Sequence, residues 1–517
     1  MSHNTACRRV FRFCSLIGFA LFAHVVYSWP LSAQQSPGTG EIHGVVTDNL
    51  GVPTSGATVT AKDVQTGVST WADTDQSGKY DISGLRGSIY EVGALTGPYG
   101  HGAFSQSKRK KVRLSAGESL TLDFQLNLGV IIEGVDNKKA LINATKTGID
   151  VLEEEHFAPL RGKRVGLITN QTGVDMAGRR TIDVLAHAPG VKLVALFSPE
   201  HGISGSADAA IANATDPATG LPIYSLYGET RRPTDDMLRG IDTLVFDIQD
   251  VGVRFYTYIT TMAYSMEEAA KHHIPFFVLD RPDPLGGEVI EGPMLDTDRI
   301  SFVGYFPMPV RYAMTMGELA RMFNAENKIG ADLQVIAMKN WGRRETYDET
   351  GLAWIPPSPN LRTLGAAFLY PGVEILQAAG VSVGRGTDAP FAIFGAPWID
   401  GGFLATELNP RGVPGVIFAS ADFTPADGLY KGQLCHGVRI EIADHTALRS
   451  MRMGLEIADA LKFHPEHFDP ANMIALLGSE STVEQLERRT PPAQIVASWA
   501  PALAKFRKMR SKYLLYL

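Results

Sequence analysis

Four short apolar runs constrain this chain more than any other feature. RVGLITN (164–170), KLVALFSPE (192–200), TLVFDIQD (243–250) and PFFVLDRP (275–282) are apolar over several consecutive positions rather than at every second one. A strand with one wet face alternates, whereas a continuous run fits a strand covered on both faces. Segments with helical spacing lie between the runs: RTIDVLAHA, TDDMLRG and YITTMAYSMEEAAKHH. Strand and helix in turn predict an α/β fold, a doubly wound parallel sheet over about 146–350.

The flanks have other textures. From 40 to 128 apolar and polar residues alternate, as in EIHGVVTD, GATVTAKD and SLTLDFQL. This predicts a small β-sandwich of about seven strands, with Leu120, Leu122, Phe124 and Leu126 on one face. DTDQSGKYDISG (73–84) has acids spaced like a calcium loop, but Gly84 stands where a bidentate acid belongs, so a hairpin turn is expected. The basic run at 108–111 reads as a strand edge protected by charge. The last part, 351–517, mixes strands such as GVIFAS and GVRIEIAD with helices and predicts an α+β unit.

Residues 1–33 have the plan of a secretory signal: Arg8, Arg9 and Arg12, then FCSLIGFALFAHVV, then a small-residue site ending at Ala33. The apolar run is shorter than the ~20 residues that span a bilayer. A periplasmic or secreted protein with no stable membrane anchor is therefore expected. Removing three arginines takes the formal charge from −7 to about −10, which disfavours nucleic acid as a partner. Cys435 would be the one cysteine left, so no internal disulfide is expected.

In an open parallel sheet, ligands bind beyond the carboxyl ends of the strands. The first run ends in Asn170 and Gln171, and the second in Glu200 and His201. The third ends in Asp247, Gln249 and Asp250 with Arg254 beyond, and the fourth in Asp280 and Arg281. Any one of these fits a helix cap or a loop acid; together they outline a polar edge. Glycosidic hydrolysis needs an acid to protonate the leaving oxygen, and a second carboxylate or the substrate's own acetamido group to support the developing charge. Glu200, between Pro199 and a glycine turn, has a partly buried setting suited to acid work. Asp247, Asp250, Asp280, Glu288 and Glu291 are possible partners. Arg254, Arg281 and Arg385 could clamp a substrate carboxylate or pair with those same acids.

Other chemistries have thinner support. GVSVG (380–384) matches the nucleophile-elbow spacing at Ser382, but a helix-like EILQAAG precedes it where a strand is needed. Cys435 and His436 are adjacent, which does not make a nucleophile–base pair. His272 and His273 read as helix-end residues. No HExxH, paired CxxC, dinucleotide fingerprint or P-loop occurs, so neither a metal nor a cofactor is expected.

From about Thr147 onward the chain resembles the NamZ-type exo-β-N-acetylmuramidases, a family of glycoside hydrolases. The stretches that carry the resemblance run in order: GLITNQTG, FSPEHG, SLYGETRRPT, FDIQDVGVRFYTY, LDRPDPLGG, EGPML, PPSPN, YPGVEIL and SVGRGTDAPF. It implies a Rossmann-like catalytic domain, an auxiliary domain after it, and release of terminal N-acetylmuramic acid from the non-reducing ends of peptidoglycan fragments. The family's glutamate in SPEHG falls on Glu200. His201, Asp250 and Glu291 are then further catalytic candidates. Asn170, Gln171, Asp247, Gln249, Arg254, Tyr256, Asp280, Arg281, Asn360 and Arg385 are candidates for holding substrate, whose lactyl carboxylate gives the arginines a purpose. Two places depart from the pattern: Tyr312-Ala313 stands where many relatives carry His-Gly, and Ala392 where an acid is common. Segment 40–128 resembles the carboxypeptidase regulatory-like domain, which implies no chemistry. A sugar-binding protein without turnover, and a serine esterase or amidase using Ser382, are the competing readings.

Overall fold

The structure, a computed structural model, describes residues 39–47, 53–55, 57–66, 69–96, 105–106, 110–128, 144–207 and 211–517. The expected signal segment 1–33, and residues 108–109 of the basic run, lie outside the described residues.

Two sheets make up the N-terminal part. In one, Gly40–Thr47 pairs antiparallel with Lys79–Leu85 and parallel with Ser119–Thr121. In the other, Ala57–Asp63 lies between Ser69–Asp73 and Ser88–Thr96, and the latter pairs with Lys110–Leu114. Alternate residues from both sheets, including Ile42, Val46, Val59, Ile82, Val92 and Phe124, share one apolar core. Leu126 belongs to that core, and Leu120 and Leu122 pack against it. The calcium-like stretch is a turn: Asp75 Oδ1 accepts from the backbone amides of Ser77 (2.8 Å) and Lys79 (2.9 Å).

The next unit is built on a seven-stranded sheet. Its parallel strands are β1 (Arg164–Thr169), β2 (Lys192–Ser198), β3 (Pro222–Ser225), β4 (Thr243–Asp247), β5 (Phe276–Leu279) and β6 (Leu333–Ile336). Their order is β3-β2-β1-β4-β5-β6, with a short antiparallel strand, Ala214–Thr215, at the β3 edge. The four apolar runs read from sequence are thus neighbours, β2-β1-β4-β5. Strands β3 and β6 escape that reading because β3 is short and begins with proline, and β6 is only partly buried. Burial on both faces explains the continuous runs. Ile168, Phe197, Phe246 and Val278 enter one core, while Leu167, Leu196, Val245 and Leu279 enter another.

Helices connect the strands: α1 (Thr181–Ala186), α2 (Asp235–Leu238), α3 (Tyr258–Lys271) and α4 (Met316–Glu326). The chain order reverses between β1 and β4, so the loops leaving them diverge to opposite sides. A crevice at that point is the usual ligand position in open parallel sheets.

The C-terminal part holds a three-stranded antiparallel sheet in which Cys435–Ile442 lies between Ile393–Ala396 and Val416–Phe423. Helices α5 (Leu364–Val373) and α6 (Ser450–Leu461) cross with backbones touching. A Cβ on Gly372 would stand 1.9 Å from the Ser450 carbonyl oxygen, which explains the glycine. The core containing Phe246 continues into this part as far as Phe506. The last residues return to the central sheet, where Tyr516 donates its hydroxyl to Asp280 Oδ2 (2.6 Å) and its oxygen accepts from the Met338 amide (2.9 Å).

Candidate active site

The FSPEHG segment leaves β2 through a tight turn in which the Gly202 amide bonds the Pro199 carbonyl (3.0 Å). His201 (φ 68°) and Gly202 (φ 75°) both occupy the left-handed region. A left-handed histidine is uncommon and needs its surroundings to hold it. Its Nδ1 lies 2.7 Å from the Ala207 carbonyl, which can only accept, so Nδ1 carries the proton. The turn leaves Glu200 half-buried at the carboxyl end of the sheet. Thr257, at the N-cap of α3, donates its hydroxyl to Glu200 Oε2. Oε1 has no partner among the described residues.

Tyr258 ties the neighbouring loops together. Its hydroxyl accepts from Asn170 Nδ2 (3.0 Å), donates to the Pro357 carbonyl (2.6 Å), and lies 3.4 Å from the Glu200 carbonyl. Gln171 reaches the same loop through Pro356 (2.7 Å). Gly205 makes room for it: a Cβ there would fall 1.9 Å from Gln171 Nε2. Tyr256 packs edge-on against Tyr258 and Tyr370, with centroids 4.7 and 6.1 Å away. The fields of Glu200 and Asp250 both act on Tyr258 and Tyr370, so the two acids flank one tyrosine cluster.

Asp250 is buried, and burial pushes its carboxyl up to about 6 against hydrogen bonds from Tyr312 and the Gly252 and Val251 amides. Its Oδ1 has no partner among the described residues. Asp283, across Gly252, is raised further, to about 7, mainly by burial, and its Oδ2 likewise has none among them. The same holds for buried Gln171 Oε1 and Gln249 Oε1. These residues follow the carboxyl ends of β1, β4 and β5.

Several other candidates are engaged by neighbouring groups. Arg281 donates to both oxygens of Asp247 (2.6 and 2.9 Å) and to the Val174 carbonyl (2.8 Å), deep in the interior. Arg254 is 1% exposed and donates to the carbonyls of Pro293, Met308, Leu476 and Leu477. Arg281 thus takes the acid-pairing alternative, and Arg254 spends its guanidinium on backbone carbonyls. Asp280 accepts from Thr315 (2.7 Å), the Gly317 amide (2.7 Å) and Tyr516, pinning the start of α4 to β5. Gln249 holds the Pro282 carbonyl (2.8 Å). Glu291 pairs with Arg311 (2.7 Å) across a small antiparallel hairpin, and burial raises its carboxyl. Glu288 pairs with exposed Arg344. Asn360 is buried in the loop that also supplies Pro356 and Pro357. Arg385 remains partly exposed, held by Glu374 (2.7 Å) and lying 5.2 Å over Phe391.

Three family models match the chain in succession: the carboxypeptidase regulatory-like domain at 41–127, the exo-β-N-acetylmuramidase NamZ N-terminal domain at 165–365, and the NamZ C-terminal domain at 368–516. Peptidoglycan β-N-acetylmuramidase NamZ of Bacillus subtilis is 44% identical over 386 residues, 74% of this chain and 93% of that protein. The chain belongs to the NamZ family. It is a glycoside hydrolase. Two solved DUF1343 family proteins from Bacteroides fragilis share its architecture. One has a TM-score of 0.68 at 42% identity, covering 72% of this chain and 99% of its own. The other has a TM-score of 0.61 at 31% identity over the same shares.

Membership in the NamZ family sets aside the binding-only reading, and the local structure sets aside Ser382. That serine is buried in an extended bridge to Gly395, with no helix starting behind it. Burial pushes the Cys435 thiol up to about 11, an inert setting. His436 faces the other way along its strand, with Nδ1 2.8 Å from Asp422 Oδ1. His272 caps the end of α3. Among the described residues no three His, Cys, Asp or Glu side chains gather as metal ligands. No described helix is long and apolar enough to cross a membrane. At the first departure from the NamZ pattern, Ala313 keeps a left-handed φ of 54°, a conformation suited to glycine, and Tyr312 turns its hydroxyl to Asp250; at the second, Ala392 packs partly buried against the core and its carbonyl accepts from the Ile440 amide (2.8 Å). Sequence reasoning missed Thr257, Tyr258, Tyr370, Glu374 and Asp283. All lie in or beside the motif stretches, but their roles depend on side-chain direction.

Proposed function

We propose that this glycoside hydrolase is a secreted exo-β-N-acetylmuramidase that removes terminal N-acetylmuramic acid from the non-reducing end of peptidoglycan fragments, with Glu200 as general acid. One observation carries the reading. Glu200 sits half-buried at the end of β2, anchored through Oε2 by Thr257, with Oε1 left to meet a leaving oxygen. The B. subtilis relative, a peptidoglycan β-N-acetylmuramidase, supports the substrate class.

In this reading Glu200 delivers a proton to the glycosidic oxygen as the bond to the anomeric carbon breaks. Asp250 is the better-supported second group, because Glu291 is already paired with Arg311. Asp250 acts on water, or supports the substrate's acetamido group as that group attacks. Arg385 meets the lactyl carboxylate, held in place by Glu374 and Phe391. The strand order β3-β2-β1-β4-β5-β6 supports a Rossmann-like sheet with its ligand at the β1/β4 reversal. The division into 40–128, 146–350 and 351–517, and a periplasmic or extracellular address, belong to the same proposal.

A chromogenic β-N-acetylmuramide tests it. Wild type is expected to release the chromophore and Glu200→Gln to lose that release. A wild type that leaves the muramide intact, or a Glu200→Gln that turns over normally, overturns the reading. The anomer of the first-formed sugar, followed by NMR, separates retention from inversion.

A further inference from the structure

We infer that the outer face of the larger N-terminal sheet is a binding surface for carboxylate-bearing glycan strands, with Trp71 as its stacking platform. The inference names a second contact with the proposed substrate and rests on that reading for the identity of the glycan. Trp71 lies on the edge strand Ser69–Asp73 and is 64% exposed, with no hydrogen bond or ring contact among the described residues. Ala57, Val59 and Ala61 of the next strand enter the core, so Thr58, Thr60 and Lys62 point outward with Trp71 and Asp73.

The cross-strand register shows how that face is arranged. Trp71 stands opposite Thr60, and Thr60 opposite Gly93. A bulky ring is therefore followed by a hydroxyl and then by no side chain. This row makes a shallow trough beside the indole about two strand spacings, or roughly 10 Å, wide. One row away, Lys62 stands opposite Glu91 and Glu91 opposite Lys111; Arg113 follows in the next row. Lys62, Lys111 and Arg113 are exposed. The other wall of the trough carries Asp73, bonded by Thr58 (2.7 Å).

An indole face accepts the axial C–H groups of a pyranose, while threonine, aspartate and lysine offer partners to its hydroxyls. The basic rows complement glycan carboxylates. A protein partner would favour a broader apolar patch than one tryptophan among polar residues. A surface that holds the polymer would raise the local concentration of chain ends for the hydrolase in the same chain.

The test uses the full chain. Co-sedimentation with insoluble peptidoglycan is measured for wild type, Trp71→Ala and the double variant Lys62→Glu/Lys111→Glu, with neutral cellulose as the comparison glycan. About tenfold weaker binding is expected for Trp71→Ala. The charge variant is expected to weaken binding at low salt and to converge on wild type at high salt. Wild type is expected to hold peptidoglycan more tightly than cellulose. Sedimentation of Trp71→Ala at wild-type levels overturns the inference. So does equal binding to cellulose, or a change in oligomeric state with peptidoglycan binding intact. Hydrolysis of the small chromogenic muramide is read in parallel and should be the same in all three proteins. If wild type fails on the muramide while Trp71→Ala still loses sedimentation, the proposed activity falls and the surface stands.

Discussion

Thr257 donates its hydroxyl to Oε2 of Glu200, joining the start of α3 to the turn that leaves β2. The bond fixes one carboxyl oxygen. Glu200→Gln keeps the shape and the threonine contact but has no proton to deliver. Turnover of a chromogenic β-N-acetylmuramide should fall about 10²- to 10⁴-fold, with an unchanged melting temperature. Thr257→Val should cost less, about tenfold, because the acid remains and only its orientation loosens. Equal losses in the two variants would contradict this division of roles.

The proposed role of Asp250 connects activity to pH. Burial raises its carboxyl to about 6, while the Tyr312 hydroxyl opposes the rise by bonding the ionised form. Tyr312→Phe removes that support, so Asp250 should stay protonated to higher pH. If Asp250 works as a carboxylate, the acidic limb of the kcat/KM profile should move upward by about one pH unit. A profile that loses height without moving would show that Tyr312 only packs.

Much of the sheet was legible because burial on two faces leaves its mark in composition. The continuous runs at 164–170, 192–200, 243–250 and 275–282 became β1, β2, β4 and β5. β3 and β6 were not legible, since four residues with a leading proline or with mixed exposure look like loop. At the proposed site, sequence brought Glu200, Asp250 and Arg385 to notice but could not tell which polar side chains are already spent on internal pairs. Asp247 and Arg281 resemble an acid and a clamp in sequence; only their side-chain directions show them locked together. Thr257, Tyr258 and Tyr370 carry no signal apart from the motif around them, because a tyrosine in an apolar stretch most often packs.

The two kinds of arginine predict opposite phenotypes. Arg281→Ala leaves Asp247 charged in the interior and should destabilise the protein by about 3–5 kcal/mol. The remaining folded enzyme should keep its KM. Arg385→Ala removes a partly exposed group held by Glu374, so the melting temperature should change little while KM for the muramide rises tenfold or more. Thermal melts and steady-state kinetics on both variants decide the matter. A raised KM in folded Arg281→Ala, or an unchanged one in Arg385→Ala, would reassign the carboxylate contact.

Asp283 gives a stability prediction independent of activity. Its carboxyl is raised from 3.8 to about 7, first by burial, with the Leu285 amide and Arg311 opposing and Asp250 adding to the rise. Between those values the folded protein holds a proton that the unfolded chain releases. Stability therefore falls as pH rises through that window, and the full penalty is present above about 7. The contribution is on the order of a few kcal/mol. Asp283→Asn keeps an oxygen for the Leu285 amide and cannot ionise. Its stability relative to wild type should improve from pH 5 to about pH 7 and level off above it, measured by denaturant unfolding at each pH. Asp250 and Asp280, both raised to about 6, leave part of the slope in place. Parallel curves for variant and wild type would mean that Asp283 stays ionised in the fold, with Arg311 as its effective counter-charge.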